Sequence, residues 1–362
     1  MIRLENINKT YPGSTHAAIG KLNIVINEGE FCTFVGPSGC GKTTILRMIN
    51  QLDIPDAGSV YVQGIKIADA DIIQVRRKIG LVMQSAALFP HRTVSQNIAT
   101  VPRLLGWNKK HIQARIDELV EIMSLDPSLL ARYPHQLSGG QQGRVAIARA
   151  LAADPPILLM DEPFAAIDPV VREKLQDELL QLQQRLHKTI VLVTHDINEA
   201  IRLGDKIAIF QEGGVLAQFD TPDSILAQPA SEFVARFIGP EPNLKRLARL
   251  QVGQLPRHDV PLVDEELTPI SSQHPVVASP LRLVLDKQLR PLYWLDPERR
   301  TTLPVSLTLK ALHSLRFAYS ALLDAPGGVL VHVNGDGQYQ GSISHGLLQR
   351  VLDGHVDVRR DD

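Results

Sequence analysis

The run Gly36-Pro37-Ser38-Gly39-Cys40-Gly41-Lys42-Thr43-Thr44 satisfies the pattern G-x-x-x-x-G-K-[ST]. It stands between an apolar stretch that reads as a buried strand, Phe31-Cys32-Thr33-Phe34-Val35, and a helix opening at Ile45-Leu46-Arg47-Met48-Ile49. A glycine-rich turn in that position commits the chain to an α/β fold with an anion site at the strand-to-helix junction. The glycines let successive backbone N–H groups converge on one phosphate, and the helix N-terminus adds its partial positive charge. Lys42 then reaches the β- and γ-phosphates of a nucleoside triphosphate, and the Thr43 hydroxyl is placed to ligate Mg²⁺. A structural glycine turn without a ligand is the weaker reading in this setting.

At 362 residues the chain is long enough for two domains. Its 38 basic and 39 acidic residues leave a net charge of −1, so no bulk field draws it to nucleic acid or to an anionic membrane. Two cysteines, Cys32 and Cys40, cannot build a disulfide framework, and a reducing compartment is expected. No apolar run approaches the roughly 18 residues that span a bilayer, and Met1-Ile2-Arg3-Leu4-Glu5-Asn6 lacks a signal-peptide core, so the expectation is a soluble chain.

Residues 1–35 alternate apolar stretches with turns and read as a strand-rich entry to the nucleotide site. Tyr11 in this part has two readings, ordinary packing at a strand end or a stack on adenine. Strands are expected at Ser59–Val62 and Ile79–Met83. Gln84 closes the second, either as a solvated cap or as an amide that ligates Mg²⁺ and orients water. Residues 85–155 read as a helical insertion, with helices over Thr93–Leu105 and Lys109–Met123, the latter carrying Ile112, Ile116, Leu119, Val120 and Met123 at helical spacing. Ser138-Gly139-Gly140-Gln141 precedes another helix. Hydroxyl, N–H groups and helix dipole there point one way, which makes either a cap or a second anion site.

Ile157-Leu158-Leu159-Met160 is an apolar strand ending in two adjacent acids, Asp161 and Glu162. Side chains alternate along a strand, so the two carboxylates divide their work: Asp161 for Mg²⁺, Glu162 to polarise an attacking water. A helix over Val170–Leu186 leads to a β-branched strand, Thr189–Thr194, that ends at His195. A histidine there opens toward the nucleotide edge of an α/β sheet, and contact with the γ-phosphate is favoured over a surface role.

In this order the phosphate loop, Gln84, Leu137-Ser138-Gly139-Gly140-Gln141, Ile157–Glu162, Asp168 and His195 resemble an ABC transporter ATP-binding subunit over about residues 1–238. The resemblance implies a P-loop NTPase core that hydrolyses ATP with Mg²⁺. It also implies a homodimer in which two ATP molecules lie between one subunit's phosphate loop and the other's Ser138–Gln141. Tyr11 would then stack on adenine, Gln84 would serve Mg²⁺ and water, Asp168 would contact the partner and His195 the γ-phosphate. Gly143 stands where such subunits commonly have Gln, at a helix-propensity cost of about 1 kcal/mol. Ala165 and Ile167 also depart from the common pattern.

Within the insertion, Leu88-Phe89-Pro90-His91-Arg92-Thr93-Val94, Asn97-Ile98-Ala99 and Val101–Trp107 are similar to the ATP-binding subunits of quaternary-amine osmoprotectant importers. That likeness implies separate transmembrane permeases, an external substrate-binding protein, no nucleic-acid partner and a place on the cytoplasmic face of the inner membrane. Importers of amino acids or other small solutes share the build. A non-transport ABC ATPase acting on DNA or ribosomes is disfavoured by the neutral charge and the single nucleotide domain. Residues 239–275, broken by prolines, read as a linker. The remainder, 276–362, has strands near Leu281–Asp286 and Leu292–Leu295, a helix over 307–324, a hairpin around Asn334-Gly335-Asp336-Gly337 and a short last helix. This order resembles a shortened, degenerate pair of CBS modules, a small α+β domain that would regulate the ATPase or brace its dimer.

Overall fold

The structure is a computed structural model that describes residues 2–14, 16–84, 86–165, 167–277 and 279–356. It divides into two compact units, Met1–Gly239 and Pro240–Asp362. The first opens with β1 (Ile2–Lys9), β2 (Ile19–Ile26) and β3 (Phe31–Val35), followed by α1 (Lys42–Ile49). Next come β4 (Ala57–Val62), β5 (Ile65–Lys66), α2 (Ile72–Arg77) and β6 (Ile79–Val82). An antiparallel sheet in the order β2-β1-β4-β5 covers the entry to the nucleotide edge.

The helical insertion holds α3 (Val94–Ile98), α4 (Thr100–Leu104), α5 (Lys109–Ile122) and α6 (Gly139–Leu151). The single helix expected over Thr93–Leu105 is divided at Ala99. Pro102 lacks the N–H that would bond the Ile98 carbonyl, and its ring crowds that same oxygen. Thr93 caps α3 with a reciprocal bond pair to Gln96. In α5, Ile112, Ile116, Leu119 and Val120 make the buried stripe that their spacing predicts.

The chain then returns to the main sheet through β7 (Ile157–Asp161), α7 (Pro169–Leu186), β8 (Thr189–Thr194), α8 (Ile197–Leu203), β9 (Lys206–Gln211) and β10 (Val215–Asp220), before α9 (Pro222–Ala227) and α10 (Glu232–Ile238). The six strands run β10-β9-β3-β8-β7-β6, parallel from β9 to β6 with β10 antiparallel at the edge. β3, β7 and β8 are buried along their whole length, which is why each reads as a continuous apolar run. Phe34 meets Phe210 edge-to-face at 5.4 Å in the layer below α1. Because β3, β8, β7 and β6 are parallel neighbours, whatever follows them lies along one edge, and that edge is the site.

The second unit contains the stretch expected to be a linker, and here the structure corrects the sequence reading. α11 (Pro242–Arg249), β11 (Leu262–Val263) and β12 (Pro269–Ile270) all form between residues 239 and 275. The prolines do not prevent this, because Pro242 occupies the first helical turn, where its missing N–H costs nothing. Leu247 and Val252 are 1% exposed within the core of this unit. β13 (Arg282–Leu285), β14 (Pro291–Asp296) and β15 (Thr301–Pro304) extend the sheet as β12-β11-β13-β14-β15.

A β–α–β–β–α run closes the chain: β16 (Thr308–Leu309), α12 (Leu315–Leu322), β17 (Val329–Val333), β18 (Tyr339–Ser344) and α13 (His345–Leu352). The helix expected over 307–324 is shorter because Ser314 caps it and Thr308–Leu309 pairs in parallel with β17. The charged end Arg359-Arg360-Asp361-Asp362, a candidate for salt-sensitive contacts, lies outside the described residues.

Candidate functional site

The phosphate loop is shaped by crowding. Gly41 has φ +98°, and a Cβ there would lie 2.5 Å from both the Ala18 carbonyl oxygen and Ile19 Cδ1. No L side chain fits, so the loop approaches the antiparallel sheet as closely as backbone can. Gly41 also stands at the N-cap of α1 with no side chain capping the helix, so the first N–H groups of α1 remain for an anion. Lys42 is 5% exposed, and its Nζ donates to the carbonyls of Gly36 at 2.8 Å and Pro37 at 2.9 Å. A cation held at the mouth of an uncapped helix is a fit for a polyphosphate.

The Thr43 hydroxyl donates to Asp161 Oδ1 at 3.1 Å, joining the start of α1 to the end of β7 across 118 residues. A hydroxyl and a carboxylate brought together beside a phosphate loop are hard oxygen donors of the kind Mg²⁺ takes alongside phosphate oxygens. Asp161 is 8% exposed. Burial pushes its carboxyl above the usual range, the Thr43 hydrogen bond opposes this, the neighbouring Glu162 charge adds to it, and Lys42 and Arg47 lower it. A carboxyl raised in the folded state penalises folding once it ionises, so Asp161 costs stability above its folded pKa and costs none at low pH where both states are protonated. Asp161→Asn is therefore expected to raise thermal stability at neutral pH by on the order of 1 kcal/mol. The gain should shrink as pH falls toward 3; thermal melts across pH measure it, and an unchanged or lowered Tm at pH 7 would contradict it.

Glu162 has φ +45°, a left-handed conformation that a non-glycine residue seldom adopts. Its N–H donates to the Val193 carbonyl at 2.9 Å, so the turn is pinned to β8. The carboxylate is held between two partners: Gln84 Nε2 donates to Oε2 at 3.2 Å and His195 Nδ1 lies 3.3 Å from Oε1. Strained backbone of this kind concentrates where a side chain must be aimed. Gln84, Glu162 and His195, which follow three different strands, thus form one row.

Tyr11, 39% exposed, lies beside α1. Its hydroxyl donates to Asp53 Oδ2 at 2.9 Å and sits 3.2 Å from Thr44 Oγ1, while Arg47 Nε pairs with the same Asp53 oxygen at 2.9 Å. Asp53 and Arg47 escape a motif search, since nothing in their spacing marks them as holding an aromatic ring.

Ser138 is exposed at the N-cap of α6. Its hydroxyl accepts from the Gln141 N–H at 3.3 Å while the Gln141 side chain accepts from the Ser138 N–H at 3.0 Å. The cap reading therefore describes its place in a single chain. Gly139 and Gln142 share a small pocket with Gln84 and Pro163, beside the row. Gly143 faces Ile167, whose Cδ1 would be 3.4 Å from an added Cβ, so the small residue and its branched neighbour fit each other. Asp168 is exposed and precedes α7, with its carbonyl accepting from the Arg172 N–H at 2.8 Å.

Comparisons with known proteins agree with this geometry. The ABC transporter family model matches residues 19–165. The osmoprotectant import ATP-binding protein OsmV of Salmonella typhimurium is 41% identical over 368 residues, covering 97% of this chain and 96% of that protein. The choline transport ATP-binding protein OpuBA of Bacillus subtilis is 52% identical over 241 residues, 67% of this chain and 63% of that one. Among solved structures, a dimeric ATP-binding cassette in a post-hydrolysis state bound to ADP and Pi matches with a TM-score of 0.56 and 39% identity, covering 61% of this chain and 98% of that one. A Clostridium perfringens protein described as part of an ABC transporter complex matches with a TM-score of 0.58 and 27% identity, over 68% of this chain and 97% of that one. With a phosphate loop, a hydroxyl–carboxylate pair and a Gln–Glu–His row on one sheet edge, the chain belongs to the ABC transporter family as one of its ATP-binding, ATP-hydrolysing proteins.

Proposed function

We propose that this chain energises an importer of osmoprotectants, quaternary amines such as glycine betaine, choline or carnitine. The observation that carries the substrate class is the full-length likeness to an osmoprotectant import protein, which takes in the second unit as well as the cassette. In this reading two copies form the sandwich dimer on the cytoplasmic face of the inner membrane. Each docks on a transmembrane permease, an external binding protein delivers the solute, and no nucleic acid takes part.

ATP enters with its adenine against Tyr11 and its phosphates on Lys42 and the N–H groups at the start of α1. Thr43, Asp161 and Gln84 would hold Mg²⁺, which when bound would supply neutralisation of charge on the β- and γ-phosphates. Glu162 accepts a proton from water as the water oxygen bonds to the γ-phosphorus and the β–γ bridging bond breaks, releasing ADP and phosphate. His195 and Gln84 keep the carboxylate aimed. Ser138–Gln141 and Asp168 complete the site of the partner subunit.

A groove of about 370 Å³ between the β6 edge and the insertion, lined by Arg76, Met83, Phe89 and Arg149, is the surface on which a permease segment would seat. Met83 and Phe89 are exposed apolar groups there. Arg149 donates to the carbonyls of Ala87 at 2.7 Å and Ala86 at 3.0 Å, so pressure on this groove moves the chain just beyond Gln84. Reconstitution with the permeases and binding protein of an osmoprotectant importer is the test. ATP hydrolysis should rise with a quaternary amine, and stimulation by amino acids or polyamines alone would overturn the substrate assignment.

The second unit regulates or braces the dimer. Deleting residues 240–362 should leave ATP hydrolysis by the cassette within about twofold while altering its salt dependence or the lifetime of its ATP-bound dimer. A reconstituted transporter whose salt response and dimerisation are the same with and without these residues would remove that role.

A further inference from the structure

One buried carboxylate beside the catalytic row has no part in the mechanism above. Glu199, in the first turn of α8, is 8% exposed, and both of its oxygens are engaged by other segments. Thr194 Oγ1 donates to Oε2 at 2.6 Å, and Gln176 Nε2, from α7, donates to Oε1 at 3.2 Å. Arg172 Nε stands 4.0 Å from Oε1, too far for a hydrogen bond but close enough for charge attraction inside the protein.

The partners continue outward in two directions. The Thr194 hydroxyl that donates to Glu199 also accepts from the Asp196 N–H at 3.0 Å, which locks the backbone on both sides of His195. Arg172 donates from its far nitrogen to the Ile167 carbonyl at 3.1 Å and from its backbone N–H to the Asp168 carbonyl at 2.8 Å. The same cluster reaches the catalytic carboxylate, since a crevice of about 30 Å³ is lined by Glu162, Arg172, Thr194, His195, Asp196 and Glu199. His195 itself has a side chain 57% exposed, so packing alone does not hold its ring at 3.3 Å from Glu162.

We propose that Glu199 is a positioning residue for ATP hydrolysis: through Thr194 it fixes the turn that carries His195, and through Arg172 it ties that turn to the Ile167–Asp168 segment. A buried acid is an expensive way to fasten two helices, because burial penalises the charge and an apolar residue of similar size would pack at least as well. Its place is explained by what it fastens. His195 belongs to one composite site and Asp168 faces the partner subunit in the proposed sandwich, so a single carboxylate sets both in register. The inference rests on the roles given above to His195 and Asp168.

The test is steady-state ATP hydrolysis by the full-length chain, with nucleotide affinity and melting temperature measured alongside. Glu199→Ala and the isosteric Thr194→Val are expected to lower kcat about tenfold to a hundredfold, as small misplacements of an active group do, with KM for ATP within about twofold. Glu199→Gln keeps an oxygen for Thr194 and should recover most of that loss. Adding Glu199→Ala to His195→Ala should cost clearly less than Glu199→Ala costs alone, because the part of its effect that runs through His195 is already gone and only the tie to Ile167–Asp168 remains to be lost. Parent-like kcat in Thr194→Val and Glu199→Ala overturns the inference, as does a full additional loss in the double variant, and either can occur while His195→Ala alone is slowed but still turns over measurably. If His195→Ala turns over at the parent rate, the role of His195 itself is what fails, and the positioning role falls with it. Should Glu199→Ala melt below the assay temperature, Thr194→Val, which leaves the carboxylate in place, decides the matter.

Discussion

Glu162→Gln is expected to bind ATP as the parent chain does, to lose on the order of a hundredfold or more of its turnover, and to accumulate as an ATP-bound dimer. The affinity should persist because Lys42, the crowded glycine loop and the uncapped start of α1 are untouched. The amide fills the same space between Gln84 and His195 and preserves the left-handed turn, so the row keeps its shape. What disappears is the capacity to take a proton from water. With hydrolysis blocked and binding intact, the closed dimer has no route to open, and it should appear by size-exclusion chromatography with ATP and Mg²⁺ but not with ADP. Turnover at the parent rate would reassign the general base.

The parts of this site that could be read from the amino-acid order are those whose chemistry is local. The phosphate loop announces itself because a strand, a glycine turn, a lysine and a helix are contiguous from Phe31 to Ile49. Asp161 and Glu162 stand out for a similar reason, since two acids closing an apolar strand need a cation or a water. Gln84 and His195 were visible only as polar ends of buried strands; what unites them is the strand order β3-β8-β7-β6, which no local pattern encodes. The division at Ala99 turns on a proline whose effect falls four residues earlier. Residues 239–275 read as a linker because prolines generally break helices, whereas Pro242 begins one and Leu247 and Val252 pack into a core whose other buried members lie some 60 to 100 residues on. Glu199 has no signature at all. Its one trace is an acid beside Ala200, Ile201 and Leu203 on a short helix, and its meaning depends on Arg172 and Gln176 from α7.

Ser138→Arg separates the two readings that the isolated chain leaves in place. In one chain Ser138 is a helix cap, and loss of such a cap costs about 1 kcal/mol of stability with no direct effect on phosphate chemistry. In the proposed sandwich the same hydroxyl and the N–H groups behind it face the γ-phosphate on the partner's loop, where a long cationic side chain obstructs docking. The variant should then lose on the order of a hundredfold in turnover while each chain still binds nucleotide on its own Lys42. Mixing it with Lys42→Ala, inactive by itself, decides the geometry. In a mixed dimer one site combines an intact phosphate loop with an intact Ser138, and the other combines both lesions. Random pairing makes half of the dimers mixed, so about a quarter of parent turnover should return from two inactive proteins. Substituting Ser138→Asn, which caps a helix as well as serine does, supplies the stability control. Recovery in the mixture can arise only if the site is shared between chains; full activity in Ser138→Arg alone, or no recovery on mixing, would leave Ser138 as a cap and confine the chemistry to a single subunit.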